Sequence, residues 1–229
     1  MGLEINRAKT EFMVEGIPDP GPLHSIDGTR IKLSEDFKYL GSWVRDSKRD
    51  IKVRKAKAWN ACHGLRTVWN SKLNDKIKAR LFVATVETVL LYGCESWTLT
   101  KDMERSLNGT YTRMLRMALN KNQYLLQMSN ATLYGIGNLP ILSTKIAERR
   151  LRLAGHAVRH PELTLNRVIL WEPLHGNSRR GRPKQTFVDV LRRDTGLRET
   201  SEIATVMSDR DGWRSVIHGV RKYHTWNPP

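Results

Sequence analysis

Ile51-Lys-Val-Arg-Lys-Ala-Lys-Ala58-Trp-Asn-Ala-Cys62-His-Gly-Leu65-Arg-Thr-Val-Trp69 decides the fold class. Ile51, Ala58, Cys62, Leu65 and Trp69 recur at steps of 7, 4, 3 and 4, one apolar face of a helix. Lys48, Lys52, Lys55 and Arg66 keep off that stripe. A helix charged on one side and apolar on the other must bury the apolar side against neighbours. The following residues supply them. Asn74 is placed to cap a second helix that runs to about Tyr92 and stops at Gly93. It is apolar on much of its circumference through Ile77, Leu81, Val86 and Val89, as a central helix should be. Thr100 caps a third, with Met103, Leu107, Tyr111, Met114 and Ala118 on one face. Residues 45–120 therefore read as a helical bundle around a tryptophan-rich core.

Upstream the period changes. In residues 1–44, Glu11-Phe-Met-Val14 is a short apolar strand, and Pro18, Pro20 and Pro22 enforce a loop. Asp27-Gly28 supplies the positive φ of a tight turn, Ile31 and Leu33 alternate after it, and Phe37, Tyr39 and Leu40 make a further strand. This β-hairpin layer is too small to stand alone. Downstream, Gly135, Gly137 and Pro140 mark residues 121–141 as a linker or short helices. A fourth long helix spans about Leu142 to Arg159 and ends before Pro161. Asn177 to Lys184 is a basic loop. Thr186 with Asp189 caps a short helix closed by Gly196, and Ser208 with Asp211 repeats the signal for a last helix bearing Trp213, Val216, Ile217 and Val220. The expected architecture is mainly α: a small amino-terminal β layer, a helical bundle, and a second basic helical region over residues 142–229.

A chain of 229 residues with 39% hydrophobic residues can bury a core, which excludes disorder throughout. Its net charge of +16 points to a polyanion, most simply nucleic acid. The charge is concentrated. Arg45 to Arg80 carries twelve Lys and Arg against three acids, and Ser143 to Lys184 carries ten against three. Cys62 and Cys94 have no zinc-type partners at suitable spacing and read as reduced core thiols. No secretory signal is visible after Met1, the match of Gly2 to a myristoylation signal is poor, and the apolar run Val83 to Tyr92 is too short to cross a bilayer. The expected address is nuclear or cytoplasmic, with no membrane partner and no secretion.

Two basic features stand out as candidate binding sites. On the fourth helix Lys145, Arg149, Arg152, His156 and Arg159 or His160 form one stripe, while Ala147, Leu151, Ala154 and Val158 point elsewhere. Such a helix can dock on a core and present charge to phosphates. The bland alternative is a solvated charged face. The second feature is Arg179-Arg180-Gly181-Arg182-Pro183-Lys184, whose Arg-Gly-Arg-Pro core is similar to an AT-hook that enters the minor groove of A·T-rich DNA. A basic surface loop or nuclear-import patch is its alternative. Two-metal polymerase chemistry needs paired carboxylates. No adjacent Asp pair exists on a strand turn, and Asp209 and Asp211 lie in a helix-capping context. No metal ligands and no catalytic residues are expected in this chain.

The stretches Gly2-Leu-Glu-Ile-Asn-Arg-Ala-Lys9-Thr10-Glu11-Phe-Met13 and Phe37-Lys38-Tyr39-Leu40-Gly41-Ser-Trp-Val44 resemble two neighbouring motifs of a reverse transcriptase palm. One is the Lys-Thr motif downstream of the catalytic aspartates. The other is the primer-grip hairpin. Val89-Leu-Leu-Tyr92-Gly93-Cys94-Glu95-Ser-Trp97, Arg149-Arg150-Leu-Arg152-Leu-Ala-Gly155-His156, Gly181-Arg182-Pro183-Lys184 and Ser208-Asp209-Arg210-Asp211-Gly-Trp213-Arg214 extend the likeness. They resemble, in order, segments of LINE-type (non-LTR) retrotransposon reverse transcriptases, especially the RTE/BovB-like group. Leu153-Ala154 and Gln185-Thr186-Phe187 depart from its pattern, with the loss of an aromatic and some charge.

The resemblance implies a parent RNA-directed DNA polymerase with an amino-terminal endonuclease, whose metal-binding aspartates lie upstream of these motifs. The chain starts at Met1, so the expectation is the carboxy-terminal part of such an enzyme. Residues 1–44 would be a palm remnant, residues 45–120 a thumb-like bundle, and the rest the post-thumb region. Magnesium would belong to the missing palm, so no cofactor is expected here. Lys9 would match the motif lysine without a metal site to serve, and Phe37, Lys38, Tyr39, Leu40 and Gly41 the primer grip. Expected partners are an RNA template, an RNA–DNA hybrid or target DNA, and the missing palm portion. Oligomeric state is open. The rival readings are a DNA-binding accessory protein that uses the Arg-Gly-Arg-Pro loop, and a non-functional element remnant.

Overall fold

The computed structural model describes residues 5–6, 9–14, 17, 19–43, 46–121, 126–172 and 186–223, the last three through their backbone. The basic loop over residues 177–184 lies outside the described residues. Residues 1–50 and 51–229 form two separate units. The chain is mainly helical with small amino-terminal sheets, as the periodicity requires.

In the first unit, β1 (Glu11–Phe12) runs parallel to β3 (Arg30–Leu33), and β2 (Leu23–His24) pairs antiparallel on the other side of β3. Gly28 turns the β2–β3 hairpin at φ +82°, as Asp-Gly chemistry demands. Lys32 of β3 pairs with Glu11 of β1 at 2.7 Å. A second hairpin joins β4 (Lys38–Tyr39) to β5 (Ser42–Trp43). Leu40 is not part of a strand. It sits with Gly41 at the two-residue turn, at φ +46° and +87°. Both central residues of a type I′ hairpin turn need positive φ, and that requirement overrides the apolar character of Leu40.

The second unit is helical. α1 (Ser47–Gly64) leads into it, followed by α2 (Arg66–Trp69). Next comes a continuous rod made of α3 (Asp75–Phe82), one π turn (Val83–Glu87) and α4 (Thr88–Leu90). α5 (Lys101–Ala118), α6 (Asn130–Ile136) and α7 (Leu142–Val158) follow. α8 (Thr164–Ile169), α9 (Phe187–Thr195), α10 (Thr200–Ser208) and α11 (Arg210–Tyr223) complete it. Asn74, Thr100 and Thr186 cap their helices through their side chains, and Thr186 with Asp189 forms a full capping box. Gly196 closes α9 at φ +77°. The last helix is capped by Asp209 rather than Ser208: its carboxylate accepts from the amides of Asp211 and Gly212, while the Ser208 hydroxyl donates back to Ala204.

Two apolar cores organise this unit. Ile51, Ala58, Cys62, Trp69, Phe82, Val86, Leu90, Leu107, Tyr111 and Met114 belong to the first. Leu151, Ala154, Ile169, Leu191, Ile203, Met207, Trp213 and Val220 belong to the second. α7 serves both: Leu142 and Ile146 enter the first core, and Ala147, Leu151, Ala154 and Ala157 the second. Buried tryptophans satisfy their indole N–H groups on backbone carbonyls, Trp69 on Cys62 at 2.8 Å and Trp213 on Leu151 at 2.9 Å. Among the described residues no helix is long and apolar enough to cross a membrane.

Candidate nucleic-acid interface

The cationic stripe of α7 divides into two parts. In its first half the charges are used inside the protein. The Lys145 ammonium lies 2.5 Å from Glu87, which also accepts from the Tyr111 hydroxyl at 2.6 Å. Glu87 is only 4% exposed, and the π turn ends on it. Burial, with Glu87 alongside, holds the Tyr111 phenol well above its ordinary pKa, so it stays a donor. Arg149 donates to the carbonyl of Leu91 at 3.2 Å and faces Glu95 at 3.9 Å. Arg150, off the stripe, is fully buried and paired with Asp194 at 2.5 Å. The partner acids come from residues far away in sequence.

In the second half the charges face outward. Arg152 and His156 are exposed, and Arg152 is held loosely by Glu148 at 3.4 Å. The His156 ring lies 4.2 Å from that of His160, whose Nδ1 is 2.8 Å from Glu162. Arg159 donates to the carbonyl of Met207 at 2.8 Å. Arg152 and Arg159 meet Arg210, Arg214 and His218 of α11 around a groove of about 300 Å³, completed by Trp213 and Ile217. Arg210, Arg214 and His218 are exposed and fall four residues apart, so they form one stripe. Asp211 holds Arg214 at 2.9 Å in an exposed pair. Exposed pairs of this kind are worth about 0–1 kcal/mol, so Arg214 can be drawn to a stronger anion at little cost.

The two helices meet at Gly155. A β-carbon there would lie 2.3 Å from the Trp213 indole nitrogen, so only glycine lets the ring reach the Leu151 carbonyl. Arg210, Arg214 and His218 were not legible as binding residues in the sequence, although their spacing opposite Trp213, Ile217 and Val220 is a signal of a charged outer face.

The remaining candidates lie elsewhere. Lys9 is an exposed residue of a short turn whose amide donates to Asn6. Of the primer-grip candidates, Lys38 and Tyr39 form the first strand of the second hairpin, Leu40 and Gly41 its turn, and Phe37 precedes it outside any strand; Tyr39 is 63% and Leu40 74% exposed. There the Arg49 guanidinium stacks on Trp43 at 3.6 Å and pairs with Asp36. Arg179, Arg180, Arg182 and Lys184 lie outside the described residues. Within the basic segment Arg45 to Arg80, the Lys78 ammonium is buried on the carbonyl of Trp69 at 2.6 Å, whereas Lys52, Lys57, Arg66, Lys76 and Arg80 are exposed. Lys55 donates to Ser106 at 2.7 Å, and burial together with nearby Arg113 lowers its pKa. Cys62 and Cys94 are buried free thiols. Among the described residues no group of three or more His, Cys, Asp or Glu side chains could hold a metal ion.

Over 95% of its length the chain is 25% identical to an uncharacterized transposon-derived protein of Caenorhabditis elegans, covering 83% of that protein. No family model and no solved structure matches.

Proposed function

We propose that the chain is the end of the palm, the thumb and the post-thumb part of a LINE-type reverse transcriptase, and that it binds nucleic acid through phosphate contacts. One observation carries this reading. Three separated stretches with that likeness interlock on α7 and its neighbours. Arg149 meets Leu91 and Glu95 of the first stretch, Arg150 lies 3.5 Å from the carbonyl of Trp97, and Gly155 receives Trp213 of the last. Their mutual packing and ion pairs support reading them as parts of one unit. The similarity to a transposon-derived protein agrees with a mobile-element origin. The net charge of +16 suits a polyanionic partner. Two-metal polymerase chemistry needs paired carboxylates, and the residues of this sequence offer no adjacent Asp pair, so the function proposed here is binding.

Fluorescence polarisation with an A·T-rich duplex, a G·C-rich duplex and an RNA–DNA hybrid tests this. Comparable, salt-sensitive binding to all three is the expected result. Preference for the A·T duplex that vanishes with Arg180→Ala and Arg182→Ala would favour a minor-groove accessory protein instead. No binding at low salt would overturn both.

A further inference from the structure

We infer that the groove between α7 and α11 is the phosphate-binding site for a nucleic-acid strand, an inference that rests on the nucleic-acid function proposed for the chain. Arg152 and Arg159 line it from one helix, and Arg210, Arg214 and His218 from the other. Guanidinium groups match pairs of phosphate oxygens in geometry as well as charge. A concave site lined by one sign of charge focuses its potential, so the cations act together. The acids beside them do not line the groove: Glu148 is buried and contacts Arg152 at 3.4 Å, and Asp211 holds Arg214 in an exposed pair.

The Asp209 carboxylate already takes the amides of Asp211 and Gly212, so recognition falls to the side chains rather than to the first turn of α11. Those side chains are held in register before any ligand arrives. The Trp213 indole is locked on Leu151 through the gap at Gly155, and Arg159 is anchored on Met207. Arg210 to His218 spans about 12 Å of helix. That length suits successive phosphates of a strand, whereas a small anion would use one end only.

The triple variant Arg210→Gln, Arg214→Gln and His218→Gln tests the assignment, because all three residues are exposed and carry no core packing. The full chain is titrated into a fluorescein-labelled RNA–DNA hybrid at several salt concentrations, with thermal melting as the folding control. The assignment expects binding on the order of tenfold weaker at low salt, and a salt slope shallower by about one to two units, since each phosphate contact contributes about 0.9. Should the triple variant melt early, Arg210→Gln alone carries the test, at a residue with no ion pair among the described residues; it should weaken binding and flatten the slope in the same direction, and wild-type behaviour overturns the groove. Unchanged affinity and slope in a folded triple variant overturn the groove assignment and leave the proposed function standing. Failure of the wild-type chain to bind removes both. Inorganic pyrophosphate at constant ionic strength is the last arm. Displacement of the hybrid at low millimolar concentration would mark a small-anion site and overturn the strand assignment.

Discussion

At the scale of single residues, two positions hold the second core together. Gly155 is in mid-helix, where alanine would ordinarily add up to about 1 kcal/mol of stability. Here the added carbon meets the Trp213 ring at 2.3 and 2.4 Å. Overpacking of this kind costs about 1–3 kcal/mol, so Gly155→Ala is expected to be net destabilising. Denaturant unfolding checks the direction, and a neutral or stabilised variant would refute the packing argument. Asp194 is the second position. Its removal leaves the Arg150 charge buried at 1% exposure without its partner. Asp194→Ala is expected to cost about 3–5 kcal/mol, whereas the apolar pair Arg150→Met with Asp194→Leu should recover much of that loss. Equilibrium unfolding of the three proteins checks this.

At the scale of elements, side-chain chemistry that acts within one turn was legible in the sequence. Asn74, Thr100 and Thr186 cap where local rules put them, and Gly196 ends α9 at positive φ, whereas the rod expected to run to Tyr92 and stop at Gly93 already ends at Leu90, with Gly93 leading into a 3-10 turn. Thr186→Ala should therefore cost about 1 kcal/mol, seen as a lowered melting temperature. Features set by distant partners were not legible. α8 and α10 are short and owe their apolar contacts to other helices, so periodicity alone did not reveal them. Leu40 looked like strand because it is apolar, yet the hairpin needs it in the turn. The stripe on α7 looked uniformly cationic, because Glu87, which neutralises Lys145, and Glu95, which faces Arg149, lie more than fifty residues upstream. The same distance hid Arg210 and Arg214, which become part of a site only when α11 packs against α7.

At the scale of the whole molecule, proton balance makes stability depend on pH. Burial pushes the Cys62 thiol up to about 11 and the Cys94 thiol up to about 12, from an ordinary value of 9.0. The folded chain thus keeps protons that the unfolded chain releases. The contribution of these two thiols is full below about pH 9 and falls as pH rises from there through the folded values. Tyr111, raised by burial, acts in the same direction at higher pH. Urea midpoints at about pH 8 and about pH 10 should show a lower midpoint at the higher pH, and Cys94→Ala should shrink the difference.

In the proposed binding mode, the α7–α11 groove presents surplus positive charge to a nucleic-acid strand. Arginine footprinting with phenylglyoxal and mass spectrometry tests it most directly, because Arg152, Arg210 and Arg214 are exposed in the free chain. In saturating RNA–DNA hybrid these three are predicted to become protected. Reaction of all three at the rate of the free chain, with the hybrid bound, would contradict the claim.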